Sequence, residues 1–411
     1  MWEKYKHIVQ NIDTGPGALG RAALWIRRHG KTLVVCDANT LKAAGNALLL
    51  ALDGAGAAYD LLVYPDQVPA PAADQNAVGR LCCAYTPDIG AVVGVGSGTI
   101  NDICKFFSFR AGRPCIAVGT APSMDGYASA GAAMTIDGVK VTPRCQCPEA
   151  IFCDPDVMKD APMPMLAAGL GDILGKASAL ADWRLSHLLT GEPMPPDLYC
   201  MVEDALRRCK DSAAGLAERR PEAINNVTEA LILSGIAMTL YGDSRPASGA
   251  EHHISHYWEM RFIAENKPPV LHGLKVGVAT LTALGLWRDL PETPAKPEPE
   301  HRSRAVEAVR RAYGFAADEL LKTPNPNLPF ERINGHWAEI KAIAASLPAP
   351  GEVAGLLERA GAPVTPDGIG VDEDMLADSI FLARERKKTY TVLQLMGDLG
   401  LLRPPQRWEE A

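Results

Sequence analysis

The run Ile89 to Val95 (IGAVVGV) is apolar on both faces a strand would present, and it passes directly into Gly96-Ser97-Gly98-Thr99 and the helical stretch INDICKFF. A strand buried on both faces belongs in a parallel sheet, where crossover helices cover both sides. This segment therefore calls for further βαβ units around it, and the flanking sequence supplies them. Thr32 to Cys36 (TLVVC) reads as a buried strand followed by a helical run from Leu41 to Leu52. Tyr59 to Tyr64 is a second strand, a helix runs from about Ala73 to Tyr85, and Pro114 to Val118 is a further strand. Between Met134 and Thr142, Asp137-Gly138 joins two short alternating runs, a strong hairpin signal.

After about Pro155 the strand signals vanish. Ala167 to Leu189, Asp197 to Arg219, Pro221 to Tyr241 and His252 to Ile263 read as amphipathic or buried helices. The proline-rich stretch PETPAKPEPEHRSR (291–304) reads as a surface loop between helices, because helical pattern resumes on both sides. The chain shows no internal repeat. Its 411 residues suit two domains. The expected architecture is an α/β domain with a Rossmann-like parallel sheet over 1–155 and an all-helical domain over 156–411. A ligand is expected in the cleft between them.

Charge narrows the classes of partner. A net charge of −8 argues against a nucleic-acid binder, and an anionic substrate would need a local positive pocket set against that field. The opening MWEKYKHIVQ lacks the pattern of a signal peptide. No stretch approaches the ~18 uninterrupted apolar residues of a membrane helix, and ALILSGIAMTLYG reads as buried helix. The ten cysteines form no C-x-x-C pair and read as reduced thiols. The expectation is a cytoplasmic protein with no nucleic-acid or membrane partner.

Three features after strands point to a nucleotide. The turn Gly96, Ser97, Gly98, Thr99 lets a ligand approach the backbone closely, and the following helix offers unpaired N–H groups to a pyrophosphate. Ser97 and Thr99 either add hydroxyl donors or cap the helix. A tight turn without a ligand is the ordinary alternative, since the spacing is not G-x-G-x-x-G. Asp37, just after the first strand, would accept hydrogen bonds from an adenosine ribose and favour NAD over NADP; its alternative is a helix N-cap. The loop GTAPSMDGYASAG (119–131) supplies Thr120, Ser123, Asp125 and Ser129 at the sheet's carboxyl edge. Asp125 could instead make an Asx-turn.

The helical half carries His252, His253 and His256 in SGAEHHISHYWEM, His272 in VLHGLKVG, and Asp172 near the start of a helix in LAAGLGDILGK. His252 and His256, four apart, share one helix face. Imidazoles and a carboxylate suit a divalent transition metal with an open position for substrate. A lone helical histidine is more often satisfied or solvent-facing, and Asp172 could cap its helix. H-x-x-x-H here lacks the metalloprotease glutamate.

Together these segments resemble the glycerol-1-phosphate dehydrogenases of the dehydroquinate synthase-like and iron-type alcohol dehydrogenase superfamily. The resemblance runs from about Asp37 to Leu281, through GVGSGTINDICKF, GTAPSMDGYASAG, GLGDILGK, DSRPASGAEHHISH and LHGLKVG in order. GTAPSMDG with SRPASGAEH, and KKTYTVLQLMGDLGLL near the carboxyl end, look most like the bacterial AraM-type branch. The resemblance implies Asp172, His252 and His272 as metal ligands. It implies Gly98, Thr99, Asn101 and Asp102, with Thr120, Ser123 and Ser129, as dinucleotide contacts. Asp125 and His256 would contact substrate, and Asp172 substrate as well as metal. The metal would be zinc or nickel, with iron the third option, and the assembly a homodimer.

The reaction this implies interconverts sn-glycerol 1-phosphate and dihydroxyacetone phosphate by hydride transfer to and from NAD or NADP, with the metal as Lewis acid. Arg245, Lys275 and Lys105 are candidate phosphate partners, with surface solvation as the ordinary alternative. Glycerol dehydrogenase on an unphosphorylated polyol and a dehydroquinate synthase-like lyase are the competing enzyme readings. A non-catalytic nucleotide-binding protein is the reading from another class.

Overall fold

The structure, a computed structural model, describes residues 1–65, 72–296, 327–385 and 387–402, with 306, 309–310, 313, 317–322, 325 and 405 besides. Within it the chain forms β1 (Asn11–Asp13), β2 (Thr32–Asp37), β3 (Tyr59–Tyr64), β4 (Ala91–Gly96), β5 (Cys115–Gly119), β6 (Met134–Ile136), β7 (Val139–Val141) and β8 (Ala150–Cys153). Six of these make one sheet in the order β1-β8-β5-β4-β2-β3. Every pairing in it is parallel, as the doubly apolar β4 demands.

Both faces of the sheet are covered. Val34, Val93 and Val95 pack with Ala22, Ile26, Leu48 and Leu52 on one side. Leu33, Val35 and Val92 pack with Leu81, Ile100 and Ile103 on the other. The carboxyl ends come level, Gly96 beside Gly119 and Gly119 beside Cys153. That edge therefore presents the turn after β4 and the loop after β5 side by side. The pair β6–β7 is the expected hairpin, with Asp137 (φ 50°) and Gly138 (φ 77°) both left-handed as its tight turn requires. It docks on the α/β half through Thr135 N–H, which donates to Ala73 O at 2.8 Å.

Two strands, β1 and β8, go unread in the sequence. They have three and four residues, too few to display a period.

Among the described residues no strand follows Cys153, and the helices relevant to the site are Met163–Leu174, Lys176–Thr190, Pro196–Ala217, Pro221–Tyr241, Ala250–Ala264 and His272–Arg288. The run expected as one helix from Ala167 to Leu189 is two, meeting at Gly175, where a Cβ would lie 2.7 Å from Val276 Cγ1. Pro221–Tyr241 is long and apolar enough to cross a membrane, yet 67% of its most apolar window is buried inside the fold. One apolar core joins Ile151 and Met158 to Leu166, Leu170, Ile224 and Leu231, tying the β1-β8-β5 side of the sheet to the helices. All ten cysteines are unpaired. Of the proline-rich stretch, residues 291–296 are exposed or half-buried, and 297–304 lie outside the described residues.

Candidate active site

Two helices meet backbone to backbone to build the centre of the site. A Cβ on Gly171 would lie 2.3 Å from Gly273 O, and one on Gly273 would lie 1.9 Å from Ala168 O. Only glycine permits that approach. It sets Asp172, in the last turn of Met163–Leu174, against His272, the first residue of its own helix. The sequence placed Asp172 near a helix start, where it could act as a cap. The helix in fact begins nine residues earlier, after Pro162, so Asp172 cannot serve as its N-cap.

His252 joins them from the first turn of Ala250–Ala264. Ligand atoms of Asp172, His252 and His272 all lie within 4.8 Å of one another. His252 Nε2 is 3.7 Å from Asp172 Oδ1, while its Nδ1 is 2.8 Å from Glu251 Oε1. Glu251 also accepts the Gly249 N–H at 2.7 Å. Burial pushes the Glu251 carboxyl up, but the bond from His252 and the backbone donors hold it below the usual range. With an ionised acceptor on Nδ1, the Nε2 lone pair turns toward Asp172. A lone pair and a carboxylate facing each other in a buried site is an arrangement that a cation between them satisfies, so this donor set fits a divalent metal.

Burial also opposes ionisation of Asp172, yet Lys176, His272 and His252 reverse the balance and hold it down to about 2. Lys176 Nζ lies 2.9 Å from Asp172 Oδ1 and 2.8 Å from Asp125 Oδ2. Burial alone would lower the lysine, and the two carboxylates raise it. Asp125 is further tied by Ser234 Oγ, which donates to its Oδ2 at 2.9 Å. Its own N–H donates to Asp172 Oδ2 at 3.0 Å. That carboxylate is thus anchored across the cleft rather than closed into an Asx-turn. His272 is held neutral, its burial outweighing Asp172 and lowering it to about 4.

His256 lies one turn along from His252, its ring centroid 6.0 Å from that of His252 and 5.4 Å from that of His272. Its Nδ1 is 3.2 Å from Glu259 Oε2. Burial raises the Glu259 carboxyl, but Lys275, His256 and Lys140 outweigh it and hold the group well below the usual range. His253 points elsewhere, to Thr389 Oγ1 at 3.2 Å.

The loop 119–131 lies between this cluster and the glycine turn. Ser97 Oγ bonds Ser123 Oγ, and Asn101 Nδ2 donates to Gly126 O at 3.3 Å. A Cβ on Gly98 would touch Met124 Cγ at 3.2 Å, and one on Gly96 would clash with Ile100 at 2.6 Å. Thr120 N–H donates to Gly96 O at 3.2 Å, and Ser129 Oγ donates to Gly126 O at 3.1 Å. Ser97 occupies the N-cap position but makes no capping bond, so it caps nothing. The first-turn N–H groups of Gly98–Ala111, including that of Thr99, are left without a side-chain cap. Asn101 Oδ1 is buried with no hydrogen-bond partner. An uncapped helix start beside an orphaned buried amide oxygen fits a dinucleotide. Asp102 faces Lys105 Nζ at 3.2 Å, and burial pushes its carboxyl up. Asp37 does cap, its Oδ1 accepting the N–H groups of Asn39 and Thr40, both at 2.8 Å.

The three expected phosphate partners are all buried, which overturns surface solvation as their alternative. Lys105 Nζ anchors the loop by donating to Gly126 O at 2.7 Å and Gly131 O at 2.6 Å. Arg245 is committed to Glu192 Oε2 at 3.1 Å and Tyr390 O at 3.0 Å. Lys275 alone faces the ligand cluster, 3.5 Å from Glu259 Oε1. Sequence reasoning passed over Lys176, Glu251 and Glu259. Each stood in view as a charge at helical spacing from, or next to, an expected site residue: Lys176 at i+4 from Asp172, Glu251 before His252, and Glu259 at i+3 from His256.

Comparison with known proteins identifies the relatives of this chain. The family model for iron-containing alcohol dehydrogenase matches residues 13–162. The chain is similar to glycerol dehydrogenase from Schizosaccharomyces pombe in fold, with a TM-score of 0.64 at 18% identity, covering 98% of this chain and 91% of that one. It is 34% identical over 404 residues to glycerol-1-phosphate dehydrogenase [NAD(P)+] of Geobacillus thermodenitrificans, covering 97% of this chain and 95% of the relative. It is 36% identical over 373 residues to the same enzyme of Bacillus velezensis, covering 90% and 86%. By these similarities, spanning nearly its whole length, the chain belongs to the glycerol-1-phosphate dehydrogenase family.

Proposed function

We propose that this chain interconverts sn-glycerol 1-phosphate and dihydroxyacetone phosphate with NAD or NADP, using one divalent metal ion held by Asp172, His252 and His272. One observation carries the reading. The loop 119–131 touches the glycine turn through Ser123, the helix that follows it through Gly126, and Asp172 through the Asp125 N–H. A dinucleotide whose pyrophosphate lay along Gly96, Ser97, Gly98, Thr99 and Asn101, with Thr120, Ser123, Ser129 and Asp102 beside it, would thereby bring its nicotinamide toward the imidazoles.

When bound, the metal supplies Lewis acidity to the substrate's C2 oxygen. The chain's own side chains do the rest. Lys176 keeps Asp172 ionised and holds both Asp172 and Asp125 in place. Glu251 orients His252. His256, held through Nδ1 by Glu259, would carry the hydroxyl proton. Asp37, at the carboxyl end of β2, favours NAD through the ribose. The same reading assigns 1–155 to the dinucleotide and 156–411 to metal and substrate. It makes the ion zinc or nickel and the protein a cytoplasmic homodimer.

The test is NADH oxidation by protein stripped of metal and restored with zinc, nickel or iron. Dihydroxyacetone phosphate should be consumed with one NADH each, and at least about tenfold more efficiently than dihydroxyacetone. Equal use of the two ketones, or phosphate release without net NADH turnover, would contradict the reading.

A further inference from the structure

Two ammonium groups from opposite halves of the chain converge on one carboxylate beside the ligand cluster. Lys140 Nζ lies 3.3 Å from Glu259 Oε1, and Lys275 Nζ lies 3.5 Å from the same oxygen. Lys140 sits on β7, opposite Thr135 in the hairpin that docks on the α/β half. Lys275 sits in the first turn of the His272–Arg288 helix. Their side chains are 18% and 3% exposed, so neither is an ordinary solvated lysine. Two cations share this counter-ion, and Asp102, the other acid that feels Lys140, is itself paired with Lys105, which leaves a local positive excess in a chain of net charge −8. That excess is close to the chemistry, because Glu259 and His256 also lie within 4.8 Å of a ligand atom of His272.

We propose that Lys140 and Lys275 form the subsite that receives the substrate's phosphate, with Glu259 as the counter-ion that holds both ammonium groups in place. The inference rests on the dehydrogenase reading above and deepens it. A three-carbon phosphate ester whose C2 oxygen lies at Asp172, His252 and His272 reaches past His256 to these two lysines. The phosphate dianion then supplies the negative charge that Glu259 alone does not balance. Because one lysine comes from each half, the phosphate would also tie the halves together. An unphosphorylated polyol gains none of this, so the pair is a specificity determinant rather than part of the hydride step.

The test compares kcat/KM for dihydroxyacetone phosphate and for dihydroxyacetone in the metal-loaded wild type and in Lys140→Ala, Lys275→Ala and Lys275→Arg. Inhibition by inorganic phosphate is measured alongside. Each alanine variant should lower the preference for the phosphorylated ketone by roughly ten- to a hundredfold, mostly through KM, and weaken phosphate inhibition in parallel. Lys275→Arg should recover much of the preference. A preference unchanged in Lys140→Ala, a change on a half-buried two-stranded hairpin outside the main sheet, would overturn the subsite, as would equal losses on the two ketones. A wild-type enzyme indifferent to the phosphate would instead bring down the dehydrogenase reading along with the subsite. Wild-type preference kept in the variants would bring down the subsite alone.

Discussion

Lys176 Nζ lies 2.9 Å from Asp172 Oδ1, and neither side chain is exposed to solvent. The two are four residues apart, one turn along two helices that meet at Gly175. With Asp125 on its other side, this lysine bridges two carboxylates and lets Asp172 stand ionised in a dry site. Removing one partner of a buried pair is far worse than never having made it, because the remaining charge is left without compensation.

Lys176→Met should therefore lower the stability of chelator-treated protein by about 3–5 kcal/mol. Added divalent metal should restore part of the loss by supplying positive charge to Asp172. Denaturant unfolding with and without metal checks this. A change under about 1 kcal/mol would mean that the pair contributes little.

His272→Ala should abolish metal binding and NADH oxidation while leaving the helices folded. The residue it removes heads its helix, and Gly273 still permits the close packing behind it. Metal content by mass spectrometry and helicity by circular dichroism give the answer together. Turnover at wild-type metal content would refute the assignment.

Acid should destabilise the metal-free protein in a defined window. His272 is lowered from 6.5 to about 4 in the fold, so the unfolded chain binds its proton more readily. Between those values the unfolded state carries more protons, and stability rises with pH. The contribution is whole above 6.5 and is lost as pH falls through about 4. In His272→Gln the slope over that window should shrink. An identical slope would mean that other groups produce it.

Gly273→Ala tests the backbone contact itself. A Cβ there meets Ala168 O at 1.9 Å, so the helices must part. We expect about 1–3 kcal/mol of destabilisation and weaker metal binding, since Asp172 and His272 ride on the two helices. Unchanged metal affinity, measured by competition with a chelating dye, would show that the contact does not set the ligand geometry.

Asp37→Ser should raise the ratio of NADP to NAD use by about tenfold or more, because it removes a charge that would repel a 2′-phosphate. Serine is itself a good N-cap, so the bonds to Asn39 and Thr40 have a replacement. An unchanged cofactor ratio would leave Asp37 as a cap alone.

Much of this was legible in the residues. The doubly apolar β4 dictated a parallel sheet, and the loss of strand pattern after Pro155 marked where helices take over. The short strands β1 and β8 were hidden because three or four residues carry no period and gain their stability from neighbours already in the sheet. The break at Gly175 was hidden for the opposite reason, since a run of small and apolar residues keeps its helical pattern on both sides. At the site, residue types announced the ligands but not what holds them. That Lys176 serves Asp172 and Asp125 together depends on the loop 119–131 folding across from the sheet, a contact of 47 residues' separation between the Asp125 N–H and Asp172. The lysines meeting at Glu259 depend likewise on where the hairpin docks.

The central claim is that Asp172, His252 and His272 grip one cation, and X-ray anomalous scattering at the metal's absorption edge addresses it directly. Crystals of the nickel- or zinc-loaded protein should give one strong peak at full occupancy, about 2.0–2.2 Å from a carboxylate oxygen of Asp172 and from one nitrogen of each imidazole. A peak elsewhere in the molecule, with these three side chains turned away from one another, would contradict the account.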